Sequence, residues 1–156
     1  MRNSLVSYFV LSVIFITNCK EKVRDVDLGG KYRLIHSAIY TDLAIVKEYN
    51  VEVISGHILE YAFDSSFIIA VQRPRDSVAG METMTANEYE EAFEKIPLRL
   101  YWIIDKTTES VFNEKTLVYS NVFGPFKIEE YIEKRKELKI PEKLIMNKNK
   151  MKHLNL

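Results

Sequence analysis

The chain has few of the residues that most often mark a chemical site. Its 156 residues include one cysteine, three histidines and five glycines. A single cysteine excludes a disulfide within the chain. The histidines, His36, His57 and His153, lack the spacing of a zinc site or of a metalloprotease helix. Gly29-Gly30 has neither the third glycine nor the preceding strand of a phosphate-binding loop. We therefore expect no metal and no cofactor.

Charge and carboxylate spacing give no support for nucleic-acid binding or for catalysis. Lysine plus arginine and aspartate plus glutamate number 22 each, so the formal net charge is zero. Such a balance provides no attraction to a phosphate backbone, and we expect no nucleic-acid partner. The pairs Glu90-Glu91 and Glu129-Glu130 are adjacent in sequence, so they would diverge on a helix surface rather than converge on a bond. No serine lies in a G-x-S-x-G elbow. We predict no enzyme and no catalytic residue.

The N-terminal region has the pattern of a bacterial export signal. Arg2 precedes an apolar run over residues 5–16, which is shorter than the roughly 20 residues that cross a bilayer. Polar residues then lead directly to the single cysteine. Ile16-Thr17-Asn18-Cys19 resembles the lipobox of bacterial lipoproteins, which implies that residues 1–18 are removed and that Cys19 is lipidated. The alternative is an inert, buried thiol behind an N-terminal helix.

Lipidation implies a place in the cell. We expect an anchored protein of the bacterial cell envelope, with the outer membrane as its membrane. The residues after the cysteine, Lys20-Glu21-Lys22, resemble a lysine-plus-acidic tag that sends some lipoproteins to the cell surface. The alternative is a solvated tether without a signal. Residues 19–30 are predicted to form the lipidated cysteine and its tether, ending at Gly29-Gly30.

The rest of the chain has the pattern of one α+β domain over residues 31–146. Short segments rich in Ile, Val, Tyr and Phe predict an antiparallel sheet of about six to seven strands, drawn from residues 32–39, 43–47, 51–54, 58–63, 67–72, 98–105, 110–112 and 117–120. Asp64-Ser65-Ser66 predicts a hairpin turn. A second hairpin is predicted around residues 106–109.

Two short helices are predicted, the second of them C-terminal. Thr85-Ala86-Asn87-Glu88 matches a capping box and predicts a helix that ends before Pro97. Gly124-Pro125 predicts a second helix with the proline in its first turn, ending at Ile140-Pro141. Residues 147–156 are too polar to be buried, and a disordered tail is predicted there.

Two groups of residues are candidates for binding a partner. Arg73 and Arg75 flank a proline at a strand end and would suit a carboxylate or phosphate, unless they are solvated turn residues. Tyr119, Phe123 and Phe126 would form an exposed aromatic patch for a protein partner. The alternative role of these aromatic residues is to dock the C-terminal helix on the sheet.

Several motifs together resemble a known class of proteins. These are the lipobox, the hairpin over residues 63–70, Ile103-Ile104-Asp105-Lys106 and Phe123-Gly124-Pro125-Phe126. With them the chain resembles small bacterial lipoproteins that carry an uncharacterised domain, over about residues 27–145. The resemblance implies a single α+β domain on a lipid tether, without an assigned activity and without catalytic residues to transfer.

The functional prediction is a membrane-anchored envelope lipoprotein that acts as a binding module for a protein or another envelope component. Two alternatives stay open. One is a small envelope hydrolase in which His36 or His57 meets a carboxylate inside a concave pocket. The other is an anchor with a purely structural role.

Overall fold

A computed structural model describes residues 25–36, 43–115 and 118–146. The predicted signal peptide, Cys19 and the predicted tail over residues 147–156 lie outside these ranges. Within the described ranges, no helix is both long enough and apolar enough to cross a membrane.

The described residues confirm the α+β class, with antiparallel pairing throughout and the last helix C-terminal. They form ten strands and two α-helices, with more strands than predicted. The strands are β1 Val26–Gly29, β2 Tyr32–His36, β3 Leu43–Val46, β4 Glu52–Ile54, β5 Ile58–Phe63, β6 Phe67–Gln72, β7 Leu100–Asp105, β8 Phe112–Asn113, β9 Val118–Tyr119 and β10 Val122–Phe126. The helices are α1 Ala86–Glu94 and α2 Ile128–Glu137.

The strands are divided among three sheets. The first sheet has the order β1-β2-β3-β4, and the second has the order β10-β7-β6-β5. Strands β8 and β9 form a separate two-stranded ribbon. Sequential strands pair directly in the first sheet, whereas β10 returns to the edge of β7 in the second.

Side-chain alternation along the second sheet creates two cores. Ile68 and Ile104 are fully buried in a core shared with the first sheet. Their neighbours Ile69 and Ile103 are fully buried in a second core on the opposite face. Successive side chains of a strand point to opposite faces, so each continuous apolar run supplies both cores. The second sheet is thus the central layer of the fold.

Helix α2 and the segment after it cover the outer face of the second sheet. Tyr131 on α2 stacks on Tyr101 of β7, with ring centroids 4.9 Å apart. Ile140 and Leu144 follow the helix and are buried in the same core. Acidic residues in the first turn and basic residues in the last turn oppose the helix dipole, which stabilises the helix.

The predicted hairpin and the predicted capping box are confirmed. Strand β5 pairs with β6 around Asp64, whose Oδ1 accepts hydrogen bonds from Ser66 N at 2.7 Å and Phe67 N at 2.8 Å. Thr85 N donates to Glu88 Oε2 at 2.8 Å, while Glu88 N donates to Thr85 Oγ1 at 3.4 Å. Local hydrogen-bonding side chains therefore fixed both features.

The predicted tether is too long, because the sheet begins before residue 31. Strand β1 starts at Val26, and Leu28 is completely buried in the first core. Gly29 ends β1 with φ of 75° and pairs with Tyr32, while Gly30 and Lys31, with φ of 62° and 71°, make the hairpin turn between β1 and β2. Positive φ is accessible to glycine without a steric penalty, which explains the two glycines.

The predicted second hairpin and the predicted start of α2 are also wrong. Strand β7 pairs with β6 and β10, while β8 pairs with β9. Pro125 lies in β10 and not in the first turn of a helix, because α2 starts at Ile128. Gly124 has φ of 133°, and a Cβ there would lie 2.8 Å from both the Trp102 ring and Tyr101 O. This glycine thus serves close packing against β7.

Candidate functional site

A polar cavity of about 330 Å³, which we call the lysine pocket, lies where four separate parts of the chain meet. The β1–β2 turn, the end of β3, the loop after β7 and the residue before β10 all contribute to it. Its lining residues are Gly30, Lys31, Tyr32, Lys47, Glu48, Lys106, Thr108, Ser110 and Asn121. Three lysines and one glutamate give the lining an excess of two positive charges.

The base of the lysine pocket is a buried hydrogen-bonded pair, Tyr32 and Asn121, exposed by only 1% and 2%. The Tyr32 hydroxyl accepts from Asn121 Nδ2 at 3.0 Å and lies 3.2 Å from Asn121 Oδ1. Asn121 Nδ2 also donates to Asp105 O at 2.7 Å, which ties the pair to the end of β7. Ser110 Oγ lies 3.4 Å from the same hydroxyl. The base is therefore held in place by the second sheet.

Lys106 is anchored to two backbone carbonyls at the side of the pocket. Its Nζ donates to Leu28 O at 2.7 Å and to Asp64 O. Burial lowers the pKa of Lys106, while the charges of Asp64 and Asp27 partly oppose that effect. The same Nζ lies 5.6 Å from the ring centroid of Phe63, so the two carbonyls and this ring hold the ammonium group in place.

Lys47 is held by aromatic rings. Its Nζ lies 4.4 Å from the ring centroid of Tyr119 and 5.7 Å from that of Tyr32. Burial lowers the pKa of Lys47, and Lys31 adds to this effect while Glu48 opposes it. Ring faces attract a cation without neutralising its charge. Lys47 thus presents a positive charge at the pocket.

The carboxylate of the pocket is already paired. Glu48 Oε1 lies 2.9 Å from Lys31 Nζ, and this ion pair raises the pKa of Lys31 through the hydrogen bond and the charge of Glu48. Both side chains are substantially exposed, so the pair contributes little to stability. Glu48, the single acidic residue of the lining, thus has Lys31 as its ion-pair partner.

The turn that connects β3 to β4 presents an aromatic side chain beside the pocket. Tyr49 and Asn50 both have φ of 60°, and Val51 N donates to Glu48 O at 3.4 Å, as in a type I′ turn. Asparagine tolerates this conformation, but tyrosine rarely adopts it. Tyr49 is 95% exposed, so packing does not compensate the strain.

The two arginines that the sequence singled out do not extend into solvent. Arg73 is 8% exposed, and the guanidinium carbons of Arg73 and Arg75 lie 5.2 and 5.3 Å from the ring centroid of Phe93 on α1. Tyr89 stacks on Phe93, and His57 meets it edge-on at 4.6 Å. We call these five residues the arginine cluster. Helix α1 supplies Tyr89 and Phe93 of this cluster.

Both arginines interact with the rest of the chain. Arg75 Nη1 lies 3.5 Å from Glu90 Oε1, and its carbonyl oxygen accepts a hydrogen bond from the Tyr89 hydroxyl at 3.0 Å. Burial and the charge of Arg99 lower the pKa of Arg73, while Glu94 opposes them. The Nε of Arg73 is buried and has no hydrogen-bond partner among the described residues.

The three predicted aromatic residues do not form one patch. Tyr119 packs beside the core between the two large sheets, and its ring lies 5.1 Å from that of Phe112. Phe123 and Phe126 pack against the opposite core under α2. Lys134 of α2 places its Nζ 4.7 Å from the ring centroid of Phe123. Phe123 and Phe126 therefore occupy the docking position that was the alternative interpretation.

The histidines lie in different structural settings. His36 ends β2 opposite Leu43, whereas His57 has φ of 73° and packs on Phe93. His153 lies outside the described residues. Within the described ranges, no group of three or more histidine, cysteine, aspartate or glutamate residues could hold a metal ion.

A second cavity, of about 520 Å³, lies at the end of α2. Arg135 lines it and donates from Nη2 to Pro141 O at 2.9 Å and to Leu144 O at 3.0 Å. These bonds hold the segment after α2 in place, so the Arg135 guanidinium stabilises this part of the fold.

The lysine pocket was missed at the sequence level because its residues are scattered along the chain. The sequence pattern predicts a tether at Gly29-Gly30 and a hairpin turn at Lys106. One available signal was the adjacent glycine pair itself, since a hairpin turn there would pair the segment before Gly29 with the strand that begins at Tyr32.

Comparison with known proteins gives one family match. Residues 29–151 match the family described as Protein of unknown function (DUF3997). No curated protein and no solved structure matches the chain.

Proposed function

The chain belongs to the family described as Protein of unknown function (DUF3997), and from its own residues we propose that it is a lipid-anchored envelope lipoprotein whose folded part binds an envelope component. The lysine pocket carries the binding part of this proposal. The resemblance of Ile16-Thr17-Asn18-Cys19 to a lipobox carries the anchoring part.

The proposed anchor and the fold are compatible in length. Acyl chains on Cys19 would hold the protein at a bilayer. Strand β1 begins at Val26, and each residue of an extended chain spans at most about 3.5 Å. The seven steps from Cys19 to Val26 therefore reach at most about 25 Å. The pocket would operate close to the membrane surface, where envelope components are concentrated.

The lysine pocket supports binding because it combines concavity with several convergent polar groups. Such a combination is typical of sites for small molecules or for a group of a larger molecule. The buried Tyr32–Asn121 pair fixes the base, while Lys47 and Ser110 stand at its side. A rigid base with charged groups around it favours recognition of a defined polar group.

The anchor is tested by intact mass and membrane fractionation of the full chain in a Gram-negative host. We compare wild type with Cys19→Ala, and Ser7→Ala is the control within the signal. Wild type and the control are expected in the membrane fraction, starting at Cys19 with an added acyl mass. Cys19→Ala should lack that mass and leave the membrane fraction. An unmodified wild-type chain that starts at Met1 would refute the anchor.

The outer membrane and the cell surface are part of the same proposal. Lys20-Glu21-Lys22 supports surface display through its resemblance to a sorting tag. Protease treatment of intact cells tests it, because a surface-exposed chain is cleaved and a periplasmic one is protected. Replacement of Glu21 by glutamine should reduce the cleaved fraction if the acidic residue is part of the signal.

The two alternatives stay predictions. A hydrolase built around His36 or His57 requires a cavity in which the imidazole faces a carboxylate. Neither of the two cavities described above, both formed by residues in the described ranges, has a histidine in its lining. No specific observation favours the hydrolase. A purely structural anchor predicts that substitutions in the lysine pocket change no binding.

A further inference from the structure

We propose that the lysine pocket binds an oxyanion, namely the carboxylate or phosphate group of an envelope component. This inference rests on the proposed function and names the chemistry of its ligand. It follows from three observations: the charge balance of the lining, the way each lysine is held, and the arrangement of hydroxyl groups around the base.

The charge balance favours an anion. Lys31, Lys47 and Lys106 all line the cavity, while Glu48 is the single acidic residue of the lining. Glu48 is bound to Lys31 at 2.9 Å. The charges of Asp64 and Asp27 also act on Lys106. The positive charge that an anionic ligand would neutralise therefore lies chiefly at Lys47, which is held by ring faces.

The donors of the lining favour an oxyanion with more than one oxygen. Lys47 rests on the faces of Tyr119 and Tyr32, which orient its ammonium group without neutralising it. Lys106 has two of its donors on backbone carbonyls, and its Nζ lies 5.6 Å from the ring centroid of Phe63, so it contributes positive charge beside the cavity. Lys47 can donate to one oxygen of the ligand and the Ser110 hydroxyl to another, and a charge-assisted hydrogen bond such as that from Lys47 is the stronger kind.

Hydroxyl groups complete the donor set. Ser110 and Thr108 line the cavity, and Ser110 Oγ lies 3.4 Å from the Tyr32 hydroxyl. A serine hydroxyl can rotate its hydrogen toward a bound oxygen. The Tyr32–Asn121 pair behind it is buried and hydrogen-bonded, so the base does not need to reorganise on binding.

The size of the cavity limits the ligand. Its volume of about 330 Å³ is near the lower end of the roughly 300–1,000 Å³ that ligand pockets occupy. It exceeds the space that one phosphate or carboxylate needs. The cavity thus leaves room beside the anionic group for a neighbouring part of the same ligand.

The test is isothermal titration calorimetry of the full chain in detergent with two probes, inorganic phosphate and acetate, in a buffer without other oxyanions. Wild type is compared with Lys47→Gln and with Lys95→Gln as a matched control. Lys95 is exposed on α1 and pairs with Glu91 at 2.7 Å, so its substitution removes the same charge outside the pocket. We expect saturable binding of at least one probe to wild type and to Lys95→Gln.

Lys47→Gln is expected to weaken that binding by about tenfold, the size of one charge-assisted hydrogen bond. Circular dichroism checks that the variant is folded. If it is not, Ser110→Ala provides the same test with an expected loss of about threefold. Tighter binding of phosphate would assign a phosphate group, and tighter binding of acetate a carboxylate.

Two results would overturn the inference. One is the absence of saturable binding of both probes to wild type, and the other is equal binding by the pocket variant and Lys95→Gln. Membrane fractionation of Cys19→Ala reports separately on the anchor. A membrane-bound chain that binds neither probe refutes the oxyanion site alone, whereas a chain that binds phosphate but carries no acyl mass refutes the anchor alone.

Discussion

The arginine cluster and the lysine pocket both hold positive side chains against aromatic rings, but the surroundings of the charged groups differ. In the arginine cluster, Phe93 of α1 lies against both guanidinium groups. In the lysine pocket, the amines border a cavity of about 330 Å³. A cation–aromatic contact thus serves packing in the arginine cluster, whereas in the lysine pocket it holds a lysine at the edge of a cavity.

The sequence pointed to the arginines because two guanidinium groups flanking a proline resemble a recognition motif. The fold uses them to attach α1 to the end of the second sheet, through Phe93 and Glu90. Four substitutions test whether the arginine cluster is a packed unit and whether the lysine pocket is built as described.

Phe93→Ala should break the arginine cluster. Phe93 is completely buried and contacts His57 and Tyr89 as well as the two arginines. Removing a buried phenylalanine costs about 3–5 kcal/mol in the free energy of unfolding. Urea denaturation measures this loss, with Phe112→Ala as the control at a position 44% exposed. Equal losses for the two variants would show that the cluster is not a packed unit.

Tyr32→Phe should loosen the base of the lysine pocket. It removes the hydroxyl that accepts from Asn121 Nδ2 at 3.0 Å, and both groups are buried. A buried polar group without its partner costs about 1–3 kcal/mol in the free energy of unfolding. Thermal or urea denaturation checks this value. Tyr49→Phe, at a position 95% exposed, should change stability by less than about 0.5 kcal/mol. A Tyr32→Phe protein as stable as wild type would contradict the described base.

Arg73→Met should leave stability within about 1 kcal/mol of wild type, because a buried charge can be replaced by an apolar chain of similar shape. The buried Nε of Arg73 has no hydrogen-bond partner among the described residues, and burial lowers the pKa of this side chain. Arg73→Ala should destabilise more, since it also removes the packed stem. Phosphate titration of Arg73→Met should match wild type. A loss of phosphate binding would move the anion site to the arginine cluster.

Tyr49→Asn should stabilise the protein by up to about 1 kcal/mol, because asparagine adopts positive φ more readily than tyrosine. Tyr49 has φ of 60° and is 95% exposed, so little packing is lost. Tyr49→Val is the opposite control, since a β-branched residue is strained at that φ. The melting temperatures of the two variants should lie on either side of that of wild type. A lower melting temperature for Tyr49→Asn would indicate that the tyrosine makes a stabilising contact.

Features fixed by local chemistry could be predicted from the sequence. Asp64 accepts hydrogen bonds from the turn that follows it, and Thr85 and Glu88 cap α1 within one turn. In each case the residues that determine the structure lie within a few positions of one another.

Features fixed by distant pairing could not be predicted in this way. Strand β7 pairs with β10, so that Asp105 N donates to Asn121 O at 2.9 Å, whereas the loop after residue 105 resembled a hairpin turn. The charged residues around β1 concealed Leu28, which is completely buried. Both mispredicted regions, β1 and the segment after β7, contribute to the lysine pocket. Its residues come from the β1–β2 turn, from the end of β3 and from the segments flanking the β8–β9 ribbon.

The most direct test of the account is nuclear magnetic resonance of the full chain in detergent, following the Nζ signal of Lys47 and the Nε signal of Arg73 during one phosphate titration. We predict that the Lys47 signal shifts and saturates together with the backbone amides of Lys31 and Asn121, while the Arg73 signal stays in place. A saturating shift at Arg73 with no shift at Lys47 would contradict the account, because it would place the available charge in the arginine cluster.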